Sequence, residues 1–126
     1  MKHYYINLKN RPERNQNMID LFAKLEITDY ERIEAVDGNL VDYNKVLENG
    51  MQVCNNWIDP LEDRPLTTGE VGCMLSHVTA WSKIVVSGQP GVILEDDLYH
   101  STDKYNIAQI QERLDDFDLV YLSKYN

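Results

Sequence analysis

The chain has 126 residues, of which 43% are hydrophobic and 26% are charged, and its formal net charge is −9. This length and balance predict one globular domain and exclude a disordered chain. The acidic charge argues against nucleic acid as the partner, because binding to its backbone needs clustered Lys and Arg side chains. An acidic protein that binds a phosphate-bearing ligand is instead expected to use a cation as mediator.

The first third of the chain predicts a βαβ unit. Residues 4–8 form a β-branched and aromatic run that is typical of a strand. Pro12 opens a helix predicted over residues 12–26, in which apolar side chains recur at helical spacing. A second strand is predicted over residues 30–36, and the Asp37-Gly38 pair ends it with a turn. This order implies a parallel sheet with a right-handed crossover.

The middle of the chain predicts two helices. A short helix is predicted over residues 42–49, closed by Gly50. Thr67 and Glu70 have the spacing of a capping box and begin a longer helix that runs to about residue 86. We assign Cys73 to the core. The buried stripe of this helix is predicted to consist of Val71, Leu75, Val78, Trp81 and Val85.

The last third predicts a strand, a helix and another strand. Residues 92–94 are a continuous apolar run, as expected of a strand that is buried on both faces. A helix is predicted over residues 103–114 and a final strand over residues 118–122. The two cysteines, Cys54 and Cys73, lack CxxC spacing, and neither a signal peptide nor a transmembrane run is found. We therefore expect reduced thiols and a cytoplasmic location.

Three consecutive carboxylates, Glu95, Asp96 and Asp97, follow the buried strand. Ligands of open α/β sheets bind beyond the carboxyl ends of the strands. Adjacent like charges repel unless a cation lies between them, and carboxylate oxygens suit Mn²⁺ and Mg²⁺. Because side chains alternate along an extended chain, Glu95 and Asp97 are expected on one side and Asp96 on the other. The alternatives are a solvated acidic turn and a phospho-acceptor pair of the receiver type.

Five further positions have both a functional and a structural interpretation. Asp37 is suited to a ribose hydroxyl or to a simple Asp-Gly turn. Arg11 and Arg14 are suited to a diphosphate or uracil edge, or to a solvated first helical turn. Gly72, inside a helix, indicates close packing or close approach of a ligand, and His77 alone is more often structural than a ligand or base.

Taken together, these segments resemble glycosyltransferase family 25, the group that contains lipooligosaccharide and procollagen galactosyltransferases. The resemblance implies an α/β nucleotide-binding fold of the GT-A, Rossmann-like type with a mainly parallel sheet, spanning 1–126 as a single domain. Four motifs in the right order cover nearly the whole chain. The matching segments are residues 5–8 with 11–14, 34–38, 66–77 with 80–81, and 94–97.

The resemblance also implies a chemistry. It implies inverting transfer of a hexose from a UDP-sugar, most often UDP-galactose, to a glycan, as in lipopolysaccharide biosynthesis, or to a hydroxylated polypeptide. A Mn²⁺ or Mg²⁺ ion would bind at Glu95 and Asp97. The nucleotide-sugar-binding residues implied by the matching positions are Asn7, Arg11, Asp37, Glu70, Ser76, His77 and Asp96.

Family members continue beyond the strand predicted over residues 118–122, so the chain is expected to be a truncated, nucleotide-sugar-binding half. The acceptor site and the general base are then expected elsewhere. Three interpretations stay open: a split product completed by a partner chain, a minimal enzyme with an unexpected base, and a non-catalytic nucleotide-sugar-binding or assembly module. A chance resemblance in an unrelated acidic protein predicts no UDP affinity.

Overall fold

A computed structural model describes residues 1–51, 56–98 and 106–122. The three strands in these ranges form an all-parallel sheet with the central strand β1 between β2 and β3. The predicted α/β class with a parallel sheet is thereby confirmed. The elements are β1 (Lys2–Asn7), α1 (Pro12–Lys24), β2 (Tyr30–Glu34), a 3₁₀ helix (Gly38–Leu40), α2 (Tyr43–Glu48), α3 (Thr68–Ser87), β3 (Gly91–Glu95) and α4 (Ile107–Leu114).

The central strand sends alternate side chains into two helical layers. Tyr5 packs on one face of the sheet in a core that includes Met18 and Phe22 of α1. Tyr4 and Ile6 pack on the other face, in a core that includes Ala80 of α3. This is the alternation that an extended strand requires, and it places α1 and α3 on opposite faces of the sheet.

Helix α3 begins and ends as the sequence predicts. The Thr67 hydroxyl accepts a hydrogen bond from the backbone N–H of Glu70, and the Glu70 carboxylate accepts one from the backbone N–H of Thr67. This reciprocal capping box satisfies two donors that the first helical turn leaves unpaired. At the other end, Gly88 adopts a left-handed conformation with φ of 63°. None of the helices in the described ranges is long and apolar enough to cross a bilayer.

The predicted buried stripe of α3 is confirmed at Val71 and Leu75 and was wrong at Trp81 and Val85. Trp81 and Val85 are 50% and 78% exposed, and Cys73 is also exposed rather than part of the core. The buried positions of α3 are Val71, Gly72, Leu75, Ser76 and Ala80. The helix has turned its small residues toward the sheet, because they allow its backbone to approach more closely than a stripe of large side chains would.

Gly72 lies at the closest point of this contact. A Cβ atom at Gly72 would lie 2.5 Å from the Val36 carbonyl oxygen and 2.8 Å from the Gly38 backbone nitrogen. A Cβ atom at Gly38 would in turn overlap the Thr68 carbonyl group. Of the two predicted explanations for Gly72, the structure shows close packing: the segment after β2 rests directly on the first turns of α3.

The strand predicted over residues 118–122 was also wrong. Residues 118–122 form no strand, and the side chains of Leu119 and Tyr121 are 64% and 85% exposed. A strand needs a hydrogen-bonding neighbour, and within the described ranges β3 pairs with β1 alone. The helix predicted over 103–114 appears as α4, while residues 103–105 and Cys54 lie outside the described residues.

We predict that Gly72→Ala lowers the free energy of unfolding by about 1–3 kcal/mol, because the added methyl group meets backbone atoms that cannot move aside. Gly69→Ala, in the same helical turn, is the matched control. Its Cβ would meet only the Thr67 hydroxyl, at 3.8 Å. Urea denaturation of both variants measures the difference, and equal stability of Gly72→Ala and Gly69→Ala would contradict the packing argument.

Candidate functional site

The carboxyl ends of β1 and β3 bring polar and charged side chains together at one edge of the sheet. Asn7 is the last residue of β1, and Glu95 is the last residue of β3. β2 and β3 lie on opposite sides of β1. The chain therefore crosses the sheet in one direction from β1 to β2 and in the other direction from β2 to β3. Such a switch point is where open α/β sheets form their ligand crevice. We call the residues Asn7, Arg14, Glu95, Asp96 and Asp97 the acidic edge.

Asn7 holds the acidic edge together. Its side chain is 1% exposed, and its amide nitrogen donates to an Asp96 carboxylate oxygen at 2.6 Å and to the Arg11 carbonyl oxygen at 3.1 Å. Its amide oxygen accepts from Arg32 Nε at 2.9 Å. Both the nitrogen and the oxygen of the Asn7 amide are hydrogen-bonded, so Asn7 orients Asp96 and Arg32. A direct role of Asn7 in nucleotide binding stays a prediction.

Arg14 is the second residue that holds the Asp96 carboxylate in place. Its guanidinium donates to the second Asp96 carboxylate oxygen at 3.2 Å, and the Asp96 side chain is only 12% exposed. Arg11, which the family motif favoured, instead lies 3.9 Å from Glu13 with its side chain 55% exposed. The helical geometry therefore brings Arg14 to the acidic edge, while the binding role of Arg11 stays a prediction.

Glu95 faces the opposite layer from Asp96. It is paired with Ile6, and like Ile6 it projects toward α3. There a Glu95 carboxylate oxygen lies 3.1 Å from His77 Nε2 and 4.0 Å from Cys73 Sγ. One ligand atom from each of the three residues lies within 4.8 Å of the other two. We call Cys73, His77 and Glu95 the thiol–imidazole–carboxylate cluster.

The sequence interpretation missed Cys73 because it assigned this residue to the core. The signal that would have found it is its spacing: Cys73 and His77 are four residues apart and therefore lie on one face of α3. Partial burial raises the pKa of the Cys73 thiol, and the nearby carboxylates of Glu95 and Asp97 raise it further. Two negative charges therefore act on the thiol.

Asp97 is the carboxylate of the acidic edge that suits a hard cation. Within the described residues it makes no hydrogen bond or ion pair, whereas Glu95 and Asp96 are both engaged. It borders an open depression of about 140 Å³, lined by Arg14, Asn17, Met18, Leu21, Asp96, Asp97 and Leu98. A Mn²⁺ or Mg²⁺ ion that keeps several water ligands needs only one or two protein carboxylates, so the residues present fit such an ion.

A larger cavity of about 610 Å³ lies at the opposite end of the sheet. Its lining includes Lys2 at the start of β1 and Asp29 just before β2. None of the residues predicted to bind metal or nucleotide sugar lines it. Because ligands of open α/β sheets bind beyond the carboxyl ends of strands, we place the candidate site at the acidic edge despite its smaller volume.

Three other predicted site residues make contacts that support the fold. The Asp37 carboxylate accepts from the Asn39 backbone N–H at 3.0 Å and caps the 3₁₀ helix. The buried Ser76 hydroxyl accepts from the Val36 N–H at 2.8 Å and donates to the Gly72 carbonyl at 2.7 Å. Their roles in binding stay predictions.

Glu70 is the third of these residues. Its carboxylate accepts hydrogen bonds from both terminal nitrogens of Arg64, at 2.9 and 3.0 Å, besides its capping contacts with Thr67. These contacts join the start of α3 to the segment before it. A role of Glu70 near the donor sugar likewise stays a prediction.

Comparisons with known proteins agree on one family. The sequence matches "Glycosyltransferase family 25 (LPS biosynthesis protein)" over residues 1–126. It is 37% identical to a glycosyltransferase 25 family member of Aedes aegypti and 35% identical to procollagen galactosyltransferase 1 of Danio rerio. It is also 32% identical to a probable inactive glycosyltransferase 25 family member 3 of Bos taurus. Each alignment covers 96% of this chain and 21% of the relative, so the chain spans about a fifth of the length of these curated relatives.

We predict that Glu70 makes stability depend on pH in the acid range. Arg64 first, and then the Thr67 backbone and hydroxyl groups, lower the pKa of Glu70 from 4.5 to about 2. Because the folded-state pKa lies below the unfolded one, this contribution is present above pH 4.5 and is lost as the pH falls toward 2. Glu70→Gln keeps an acceptor for the cap but removes the charge.

The measurement is the urea midpoint of the wild type and of Glu70→Gln from about pH 6 to pH 2. Stability of the wild type is expected to fall more steeply with acidification than stability of the variant. Glu48→Gln, which changes an exposed carboxylate of α2, is the control and should follow the wild type. Parallel curves for the wild type and Glu70→Gln would rule out the proposed linkage.

Proposed function

This chain belongs to glycosyltransferase family 25, as its motifs predicted, and we propose that it forms the nucleotide-sugar-binding part of a hexosyltransferase. The proposed donor is a UDP-sugar, UDP-galactose first. The observation that supports this most directly is the position of the acidic edge, at the carboxyl end of β3 and beside the switch point between β1 and β3.

The proposed cofactor is Mn²⁺, with Mg²⁺ as its nearest substitute. Asp97 is the first choice of ligand because its carboxylate is not engaged by the described residues, and Glu95 is the second. When bound, such an ion offsets negative charge on the diphosphate that leaves the sugar. This role also agrees with the net charge of −9, since an acidic protein needs a cation to approach a diphosphate.

The chain's own residues would position the donor. Asn7 and Arg14 hold the Asp96 carboxylate from two sides, so Asp96 presents a fixed orientation at the crevice. The Arg14 side chain remains 44% exposed and lines the depression beside Asp97, where its charge would attract a phosphate group. Asp37, at the end of the segment that follows β2, is suited to a ribose hydroxyl.

The acceptor and the general base are assigned to parts of the protein beyond these residues. We propose an inverting transfer in which a carboxylate removes the proton of the acceptor hydroxyl. The acceptor is either a glycan or a hydroxylated polypeptide, because the family description names LPS biosynthesis while one relative is named a procollagen galactosyltransferase. The region that binds it would belong to a longer protein or to a partner chain.

A second candidate function is a non-catalytic nucleotide-sugar-binding or assembly module. The observation that favours it is the name of the bovine relative, a probable inactive member of the family that is 32% identical to this chain. Donor hydrolysis or sugar transfer by the purified protein separates this candidate from the first, since a module of this kind binds the donor without turning it over.

Thermal unfolding with UDP and UDP-galactose, each with Mn²⁺ or with EDTA, tests the donor site. A ligand at 100 times its dissociation constant stabilises the folded state by about 2.7 kcal/mol, which raises the midpoint by several degrees. We expect the shift to need both nucleotide and Mn²⁺ and to disappear in Asp97→Asn. Asp116→Asn, an exposed carboxylate after α4, is the control and should keep the shift.

Two outcomes would contradict the proposal. Absence of any shift in the folded wild-type chain would remove the claim of donor binding. A shift that persists unchanged in Asp97→Asn would mean that the nucleotide binds without the acidic edge, and the cavity at the amino ends of the strands would then be the place to examine.

A further inference from the structure

The thiol–imidazole–carboxylate cluster lies on the other side of β3 from the Asp96 network. Its three side chains come from two well-supported elements: Cys73 and His77 from one face of α3, and Glu95 from the last position of β3. The capping box holds the start of α3, and the pairing of Glu95 with Ile6 holds β3 against the central strand. The fold therefore sets the relative positions of the backbone from which the three side chains project.

Two of the distances within the cluster are within about 0.4 Å of those in the coordination shell of a small divalent ion. A tetrahedral zinc ion with ordinary bond lengths separates an imidazole nitrogen from a carboxylate oxygen by about 3.4 Å, and a sulfur from that oxygen by about 3.6 Å. The observed separations from Glu95 Oε1 are 3.1 Å to His77 Nε2 and 4.0 Å to Cys73 Sγ. The ligand atoms of Cys73 and His77 lie within 4.8 Å of one another, against about 3.6 Å in such a shell. Rotations of these side chains that move the ligand atoms by up to about 1 Å bring all three into the shell.

The chemistry of the three groups selects a different ion from the one proposed at Asp97. Thiolate and imidazole are ligands of zinc and related borderline metals, whereas Mn²⁺ and Mg²⁺ prefer oxygen. A thiolate and a carboxylate carry two negative charges, which one divalent cation neutralises. Cys73 is exposed and the His77 side chain is 26% exposed, so the cluster is open to an ion from solvent.

We infer that Cys73, His77 and Glu95 form a second metal site, selective for Zn²⁺-like ions and separate from the proposed Mn²⁺ site at Asp97. Three protein ligands leave the fourth tetrahedral position to water or to an oxygen of a ligand at the edge of the sheet. Binding releases the thiol proton of Cys73 to solvent and joins α3 to the end of β3. It also orients the start of the turn that contains Asp96 and Asp97.

Glu95 is also the second choice of ligand for the proposed Mn²⁺ site, but its contact with His77 assigns it to the zinc site and leaves Asp97 to Mn²⁺. The inference does not need the proposed donor function. A chain that binds no UDP can still bind zinc through these side chains, and a chain that binds UDP and Mn²⁺ at Asp97 can lack the zinc site. The experiment must therefore read the two sites separately.

Co²⁺ is the probe, because a thiolate bound to Co²⁺ produces an intense near-ultraviolet charge-transfer band and tetrahedral Co²⁺ absorbs strongly in the visible. The purified chain is freed of metal with EDTA, exchanged into a chelator-free buffer with a non-thiol reductant, and titrated with Co²⁺. We expect one equivalent of Co²⁺ to bind with both spectral features and to be displaced by Zn²⁺. The same titration is run on Cys73→Ser, Glu95→Gln and the control Cys54→Ser, which removes the other cysteine of the sequence.

Cys73→Ser is expected to lose the thiolate band, and Glu95→Gln to bind Co²⁺ at least tenfold more weakly, since loss of even an outer-shell partner costs about 10–100-fold. Cys54→Ser should keep the wild-type spectrum. The Cys73 side chain is exposed, so Cys73→Ser is expected to fold, and far-ultraviolet circular dichroism checks its helix content. No thiolate band in the wild type, or a band that survives in Cys73→Ser, would overturn the inference.

The two sites are distinguished by measuring the variants of each site in both assays, the Co²⁺ titration and thermal unfolding with UDP and Mn²⁺. Asp97→Asn should retain the Co²⁺–thiolate band, and Cys73→Ser should retain any stabilisation by UDP with Mn²⁺. If Co²⁺ gives its band while UDP gives no shift, the second metal site stands and the donor function fails. Loss of the Co²⁺ band in Asp97→Asn would mean that Asp97 belongs to the same metal site, and it would overturn the claim that the two sites are separate.

Discussion

The parallel pairing of β1 with β3 is the constraint on which the acidic edge depends. Its register sets Ile6 opposite Glu95, so Glu95 enters the α3 layer and the following residue, Asp96, turns toward α1. A slip of one residue would exchange these directions, because side chains alternate along a strand. The same register carries Asn7 to the end of β1, where its amide reaches Asp96. Three neighbouring carboxylates are thereby given different surroundings instead of repelling one another in one place.

The approach of α3 to the sheet is the second determinant. Gly72, Ser76 and Ala80 are the small residues on the buried side of this helix, and the Ser76 hydroxyl accepts a hydrogen bond from the backbone after β2. Because the small residues face the sheet, Cys73 and His77 lie at the border of the contact, within reach of Glu95. Small side chains therefore support the site twice: they allow the helix to pack closely, and they set which of its polar residues meet the strand end.

This division gives the end of β3 two chemical characters. On the α1 side, Asp96 is held by an amide and a guanidinium, and the neighbouring Asp97 offers oxygen to a hard cation. On the α3 side, sulfur and imidazole join Glu95 in a set that favours softer ions. The motifs by which the chain resembles its family include this acidic run after β3. They do not by themselves explain why the first carboxylate of that run contacts a histidine and a cysteine.

The sequence by itself determined the local elements and the order in which they follow. The capping box of Thr67 and Glu70, the start of α1 at Pro12 and the three strands depend on neighbouring residues, and each was predictable from them. The family motifs likewise placed Asn7 and the acidic run at one edge. Only the tertiary structure decided which face of α3 is buried, that residues 118–122 form no strand, and that Glu95 meets His77 and Cys73. Periodicity shows that a helix has an apolar side, but packing against a partner chooses the buried one, and here backbone contact at Gly72 outweighed the larger side chains of Trp81 and Val85.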